Sequence, residues 1–209
     1  MNRSRRLLAA TLMGAGYGAT ASALNDLSSA YGDLGGALAD TPGQSGLRVL
    51  STMTGAGWAW AALAVAVGWY LGSRRWGAAA GALALPAATT TYYALDNLLR
   101  AEPILGSDIW IWCAAGLLLG PPLGAVGACA RRPGLLGLLA ALTVPVGAAV
   151  QMVVLPQGVD SVQVAVEVVW ARWIVWLISA VASTWIIMRY RRAKPAPQAV
   201  DRATDHRGA

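Results

Sequence analysis

The sequence predicts an all-α fold: a polytopic transmembrane bundle of about six helices with the N- and C-termini cytoplasmic. Three observations lead there. First, 56% of the 209 residues are hydrophobic and only 12% are charged, against about 25% charged in a soluble domain. Second, several apolar stretches exceed the roughly 20 residues that span a bilayer. Third, threading six spans with the N-terminus inside puts every basic cluster on the cytoplasmic side, the positive-inside pattern. These clusters are Arg3, Arg5 and Arg6; Arg74 and Arg75; Arg131 and Arg132; and Arg189, Arg191, Arg192 and Lys194. The net charge of +6 thus belongs to a lipid interface, and no nucleic-acid partner is implied.

The spans fall at residues 7–26, 47–71, 77–99, 109–130, 134–155 and 165–188. The first has a basic start, an apolar run and small residues near its end, as a signal peptide does. Cleavage would leave an odd number of spans, so an uncleaved helix is expected. "GAGYG" in the first span, "GAAAG" opening the third and "GLLLGPPLG" in the fourth carry Gly four residues apart, the spacing that lets helix backbones approach closely in lipid. Pro86, Pro121, Pro122 and Pro145 are expected to kink or interrupt their helices. The stretch from Asp26 to Gly46 is the longest loop, and "DLGGALA" within it could form a short interfacial turn. Residues 1–190 make the bundle. Residues 191–209, rich in Pro and charge without apolar periodicity, form a disordered cytoplasmic tail.

The acids lie on the other side. Asp26, Asp33, Asp40, Asp96, Glu102, Asp108, Asp160 and Glu167 all map to the outer half. Acids contribute little to orientation during insertion, so the skew points either to polar outer loops or to a cavity opening outward. Cys113 and Cys129 sit toward opposite ends of one span, and the only His, His206, is in the tail. No zinc, haem or iron–sulfur spacing occurs.

"NDLSSAYGD", residues 25–33, sets Asn25, Asp26, Ser29 and Asp33 at spacings that resemble the second magnesium motif of soluble terpene synthases. It also resembles the first magnesium motif of membrane prenyltransferases, with a serine in place of the middle aspartate. The motif lies on the outer side, whereas prenyl diphosphates are made in the cytoplasm, and no DDxxD accompanies it. Asn-Asp before Ser and Gly is also ordinary chemistry for a helix exit. No metal and no cofactor, Mg²⁺ included, is therefore expected.

Four further groups are candidates. In "TTTYYALDNLLRAE", Thr89, Tyr92, Asp96 and Arg100 share a helix face, with Tyr93 and Asn97 beside it. Asp96 precedes Arg100 by four, the favoured order for an ion pair. In the sixth span, Glu167 and Arg172 are 140° apart at 100° per residue and each needs a partner elsewhere, while Gln151 is polar near the outer end of the fifth. Ionisable groups at membrane depth are functional candidates, and Asp96 and Glu167 are the candidate catalytic acids. Asp96, Arg100, Glu167 and Arg172 are expected to converge near the outer third of the bundle, with Asp26 or Gln151 close by. Trp110, Trp112, Trp170 and Trp173 fit an outer aromatic belt, and Trp69, Tyr70, Trp76, Trp185 and Tyr190 an inner one. Trp58, Trp60 and Trp176 lie deeper and are candidates to line a pocket for a cation or hydrophobic ligand.

The order of features resembles a family of unknown function: small polytopic membrane proteins found widely in actinobacteria. The likeness rests on "GAGYG" in the first span, "GAGWAWAALAVAVGWYLG" in the second, "TTTYY" in the third and "GLLLGPPLGAVG" before an arginine pair. It covers roughly residues 7 to 190 and implies a six-span-like helical membrane protein, with no activity attached.

The expected function is that of a multi-pass cell-membrane protein that binds a lipidic or small polar ligand, or a partner, from the outer side. Beyond the bilayer, a hydrophobic small molecule is the candidate ligand. The alternative is a membrane-embedded enzyme on an isoprenoid substrate, such as a terpene cyclase. Asp96 or Glu167 would be its acid and Trp58, Trp60 or Tyr92 would stabilise carbocations. A small secondary transporter is third.

Overall fold

The computed structural model describes residues 2–29, 33–36, 41–100, 107–154 and 166–193. Among these there are eight helical segments and no strand. They are α1 (Arg3–Ser28), α2 (Asp33–Gly36, a single turn), α3 (Pro42–Gly55), α4 (Gly57–Leu71), α5 (Arg74–Leu99), α6 (Ser107–Cys129), α7 (Leu135–Val154) and α8 (Val166–Ala193). Four of them, α1, α6 from Ile109, α7 and α8, are long and apolar enough to cross a membrane, and the α3–α4 pair makes a fifth if counted as one broken span. The tail beyond Ala193 lies outside the described residues, as do Glu102 and Asp160.

The expected third span is α5. It is 26 residues long but does not reach the apolarity of the other four. The reason is its place in the bundle. It packs most extensively against α6 and α1, and also against α4. Gly77, Ala80, Gly81, Ala84, Leu85, Ala88 and Thr89 are buried on it. A helix shielded by protein satisfies its small and hydroxylic residues against neighbours, and is released from the demand that a lipid-facing surface be apolar.

Glycines set how close the helices come. A Cβ at Gly14 or Gly18 of α1 would fall on the carbonyl oxygen of Ala84 or Ala88 of α5. Nearer the start of α5, a Cβ at Gly77 or Gly81 would meet the carbonyls of Gly124 and Gly120 of α6. The Gly pairs at spacing four therefore do what the sequence pattern suggests, bringing backbone against backbone with no side chain between. The main core cluster, Ala10, Leu63, Ala64, Val67, Leu71, Ala80, Ala84, Leu85 and Ala88, runs along these seams. A smaller cluster of Ala56, Ala148, Met152 and Val175 joins α7 and α8 to the rest.

One expectation is corrected and another is narrowed. The second span, expected as one helix over 47–71, breaks at Ala56, whose φ −68° and ψ 140° are extended. The halves α3 and α4 are bent by 61°. Gly55 and Gly57 flank the break, where glycine weakens the helix most. The prolines, expected to kink or interrupt their helices, do not interrupt them: Pro86, Pro121, Pro122 and Pro145 all sit inside continuous helices. The 26–46 stretch is also more ordered than a plain loop, since α1 continues to Ser28, α2 forms within "DLGGALA" and α3 begins at Pro42.

Three of the arginine clusters meet at one end of the bundle. Arg3 stacks over Trp76 at 5.5 Å and Arg131 over Trp69 at 5.2 Å. Arg131 Nη1 also donates to the Trp69 carbonyl at 3.3 Å, and Arg74 Nε contacts Cys129 Sγ at 3.1 Å. Both Cys113 and Cys129 are free thiols.

Candidate functional site

The break in the α3–α4 span frees backbone groups in apolar surroundings, and two side chains from other helices take them up. Tyr17 of α1 donates its hydroxyl to the Thr54 carbonyl at 2.6 Å. Gln151 of α7 accepts the Trp58 N–H through Oε1 at 2.7 Å. One orphan carbonyl at the end of α3 and one orphan N–H at the start of α4 are thereby satisfied, as buried backbone in a membrane demands. Gln151 was a polar candidate in the sequence without a role. Tyr17 was overlooked, although a tyrosine inside the "GAGYG" packing motif is the signal that could have found it.

Beside this break lies a cavity of about 360 Å³ between α4, α5 and α6. That falls in the range of roughly 300–1,000 Å³ usual for small-ligand pockets. Gly55 and Gly57 form part of its wall, together with Trp60, Thr89, Tyr92, Tyr93 and Trp112. Among the described residues the remaining lining is aliphatic or glycine, and no charged side chain is in it. The aromatic rings stand nearly perpendicular in series. Tyr17 meets Trp60 at 5.4 Å and 85°, Trp60 meets Tyr92 at 6.2 Å and 69°, and Tyr92 meets Tyr93 at 5.4 Å and 79°. These are the edge-to-face geometries that aromatic quadrupoles favour. The cavity thus gathers Trp60, Tyr92 and Tyr93 from the sequence candidates, and adds Thr89 from the same stripe.

Trp58 is not part of it. It packs on the Ala56, Ala148, Met152 and Val175 cluster, toward α7 and α8. Two residues apart on a helix means 200°, so Trp58 and Trp60 face opposite ways. Trp176 also packs there, donating its indole N–H to the Ala149 carbonyl at 3.3 Å.

The ionisable candidates form two separate stations. Asp96 Oδ1 pairs with Arg100 Nε at 3.3 Å. Asn97 is buried one residue on. Glu167 Oε1 instead pairs with Arg48 Nη1 of α3 at 3.6 Å and lies 3.5 Å from the Ser45 hydroxyl. Arg48 further donates from Nε to the Ser28 carbonyl and from Nη2 to Gln44 Oε1, both at 3.3 Å, so it ties the end of α1 to α3 and α8. Arg172 stacks over Trp176 of its own helix at 5.9 Å. The expected convergence of Asp96, Arg100, Glu167 and Arg172 is thus replaced by local partners. The packing explains it: α5 sits among α1, α4 and α6, whereas α8 packs on α7 and α3. Arg48 was overlooked because it lies inside an expected span.

In "NDLSSAYGD", Asn25 is half-buried within α1 and its carbonyl accepts the Ser28 hydroxyl at 2.9 Å. Asp26 is 5% exposed, and neither its Oδ2 nor the Oγ of Ser22 has a hydrogen-bond partner among the described residues. The side chain of Asp33 lies outside the described residues. Among the described residues, no three His, Cys, Asp or Glu come together as a metal-holding group. Compared with protein-family models, with curated proteins and with solved structures, this chain matches none.

Proposed function

We propose that this chain is a multi-pass cell-membrane protein that binds a mainly apolar small molecule in the cavity between α4, α5 and α6. One observation carries the reading: four aromatic side chains and a buried threonine converge on an uncharged cavity next to a broken helix. Irregular backbone at membrane depth is tolerated where it lines a cavity, and concave, apolar, aromatic-walled sites are where small ligands bind. In this reading α5 and the α3–α4 pair also cross the bilayer, giving six crossings with both termini cytoplasmic and the arginine-rich end inside. The resemblance to the actinobacterial family of small polytopic proteins is part of the same proposal.

The test is native mass spectrometry of the full chain taken from membranes. A bound small molecule is expected on the unaltered protein and not on Ala61→Phe, which fills the cavity from its wall. Equal occupancy in the two proteins overturns the reading.

A second reading, an enzyme acting on an isoprenoid, draws on the same aromatic faces, which suit carbocations. It ranks second because no carboxylic acid lines the cavity among the described residues, and Asp96, one turn beyond Tyr92, is engaged with Arg100.

A further inference from the structure

Some hydroxyls and indoles of this bundle donate to backbone carbonyls, whereas the Trp58 indole N–H and the Ser22 hydroxyl are buried without a partner among the described residues. Tyr17 donates to Thr54 and Trp176 to Ala149. Several donors belong to residues of the cavity wall. Thr89 is 4% exposed and lines the cavity, yet its hydroxyl makes no hydrogen bond among the described residues. The same holds for the Trp60 indole N–H and the Tyr92 phenol. Three donors without a protein acceptor thus belong to residues lining one open cavity, where the oxygens of a guest can reach them.

The chemistry of that acceptor follows from the wall. An indole N–H only donates, and the two hydroxyls can donate as well, so the complementary atoms are acceptor oxygens. Among the described residues the lining carries no charge, so a charged head group would find no counter-charge there. The near-perpendicular walls of Trp60, Tyr92 and Tyr93 make a corner in which a flat ring stacks on one face and meets the edge of the next. Trp112 and Leu119 line the same cavity and are exposed on the outside of the bundle. The cavity therefore opens sideways toward lipid, leaving room for an apolar tail.

We propose that the cavity takes the head of a ring lipid bearing carbonyl oxygens, of the quinone class, entering sideways past Trp112 and Leu119, with Thr89, Trp60 and Tyr92 donating to its oxygens. This rests on the reading of the cavity as an apolar ligand site, and the experiment separates the two. The full chain in lipid nanodiscs is titrated with 2-methyl-1,4-naphthoquinone and with 2-methylnaphthalene, the matched hydrocarbon without carbonyls. Binding to the Ala61→Phe protein is subtracted as lipid partitioning. The quinone is expected to bind at least tenfold more tightly than the hydrocarbon. Thr89→Val is expected to weaken quinone binding severalfold, leave hydrocarbon binding unchanged and leave the melting temperature unchanged or raised. Equal affinity for the two probes overturns the quinone class while the apolar site stands. No binding of either probe overturns both proposals. A Thr89→Val protein that loses both probes equally and melts earlier makes Thr89 a packing residue, and that too overturns the inference.

Discussion

The "GAGYG" stretch of α1 contains a matched experiment. Gly18→Ala places a methyl group on the backbone of α5, with its Cβ falling onto the Ala88 carbonyl oxygen, 2.8 Å from that carbonyl carbon and 3.0 Å from Ala88 Cα. All three atoms are backbone, so no rotamer can swing clear, and α1 and α5 must part by roughly 1 Å. A gap of 0.5–1 Å forfeits about a quarter to a half of each dispersion contact along the seam, and overpacking of this kind costs about 1–3 kcal/mol. Gly16→Ala, two residues away, meets nothing within 4 Å. It keeps only the helix-propensity gain of roughly 0.5–1 kcal/mol. For a chain of this length each kcal/mol moves the melting temperature by roughly 2–4 °C. Thermal unfolding of the two purified variants in one detergent should therefore show Gly18→Ala melting about 2–12 °C below the unaltered protein and Gly16→Ala level with it or above. If Gly18→Ala keeps its melting temperature, or if Gly16→Ala falls as far, the backbone-contact argument is wrong.

Three other outcomes are expected. Tyr17→Phe removes the hydrogen bond to the Thr54 carbonyl and should cost about 1–2 kcal/mol in chemical unfolding, with an unchanged melting point counting against the role given to Tyr17. Asp96→Asn with Arg100→Gln dissolves a partly exposed ion pair and should cost on the order of 1 kcal/mol or less. A large loss of stability in that double variant would mean the pair is structurally essential. Reporter fusions after Arg192 and within residues 34–45 should report opposite sides of the membrane, the first cytoplasmic, and a cytoplasmic signal from 34–45 would reverse the proposed orientation.

What was legible in the sequence was whatever depends on a helix's own periodicity. The Gly pairs and the Thr89–Tyr92–Asp96–Arg100 stripe follow from 3.6 residues per turn, and the Asp96–Arg100 pair forms within that stripe. The opposed faces of Trp58 and Trp60 were available to the same arithmetic. What was not legible depends on which helix lies beside which. Glu167 pairs with Arg48, 119 positions earlier in the chain, because α8 packs on α3, and no spacing rule reports that. The break at Ala56 was hidden by composition, since "GAGWAW" reads as uninterrupted apolar sequence. The signal was the glycine pair, which elsewhere in this chain means close packing and here means departure from the helix.

That break has a kinetic side. Apart from side-chain packing, single hydrogen bonds from Tyr17 and Gln151 hold the ends of α3 and α4 in place. At about 1–3 kcal/mol for each group left unpaired, releasing both costs about 2–6 kcal/mol, a factor of at least roughly thirty at 1.36 kcal/mol per decade. At most about a few per cent of molecules then have both latches undone at any moment, exchanging on the microsecond-to-millisecond timescale of collective helix motion. Gly55 and Gly57 belong at once to the hinge and to the cavity wall, so opening the hinge reshapes the wall. A guest can then be admitted at a rate set by the protein's own breathing, and the Trp58 amide should be among the first in the bundle to exchange its proton with water.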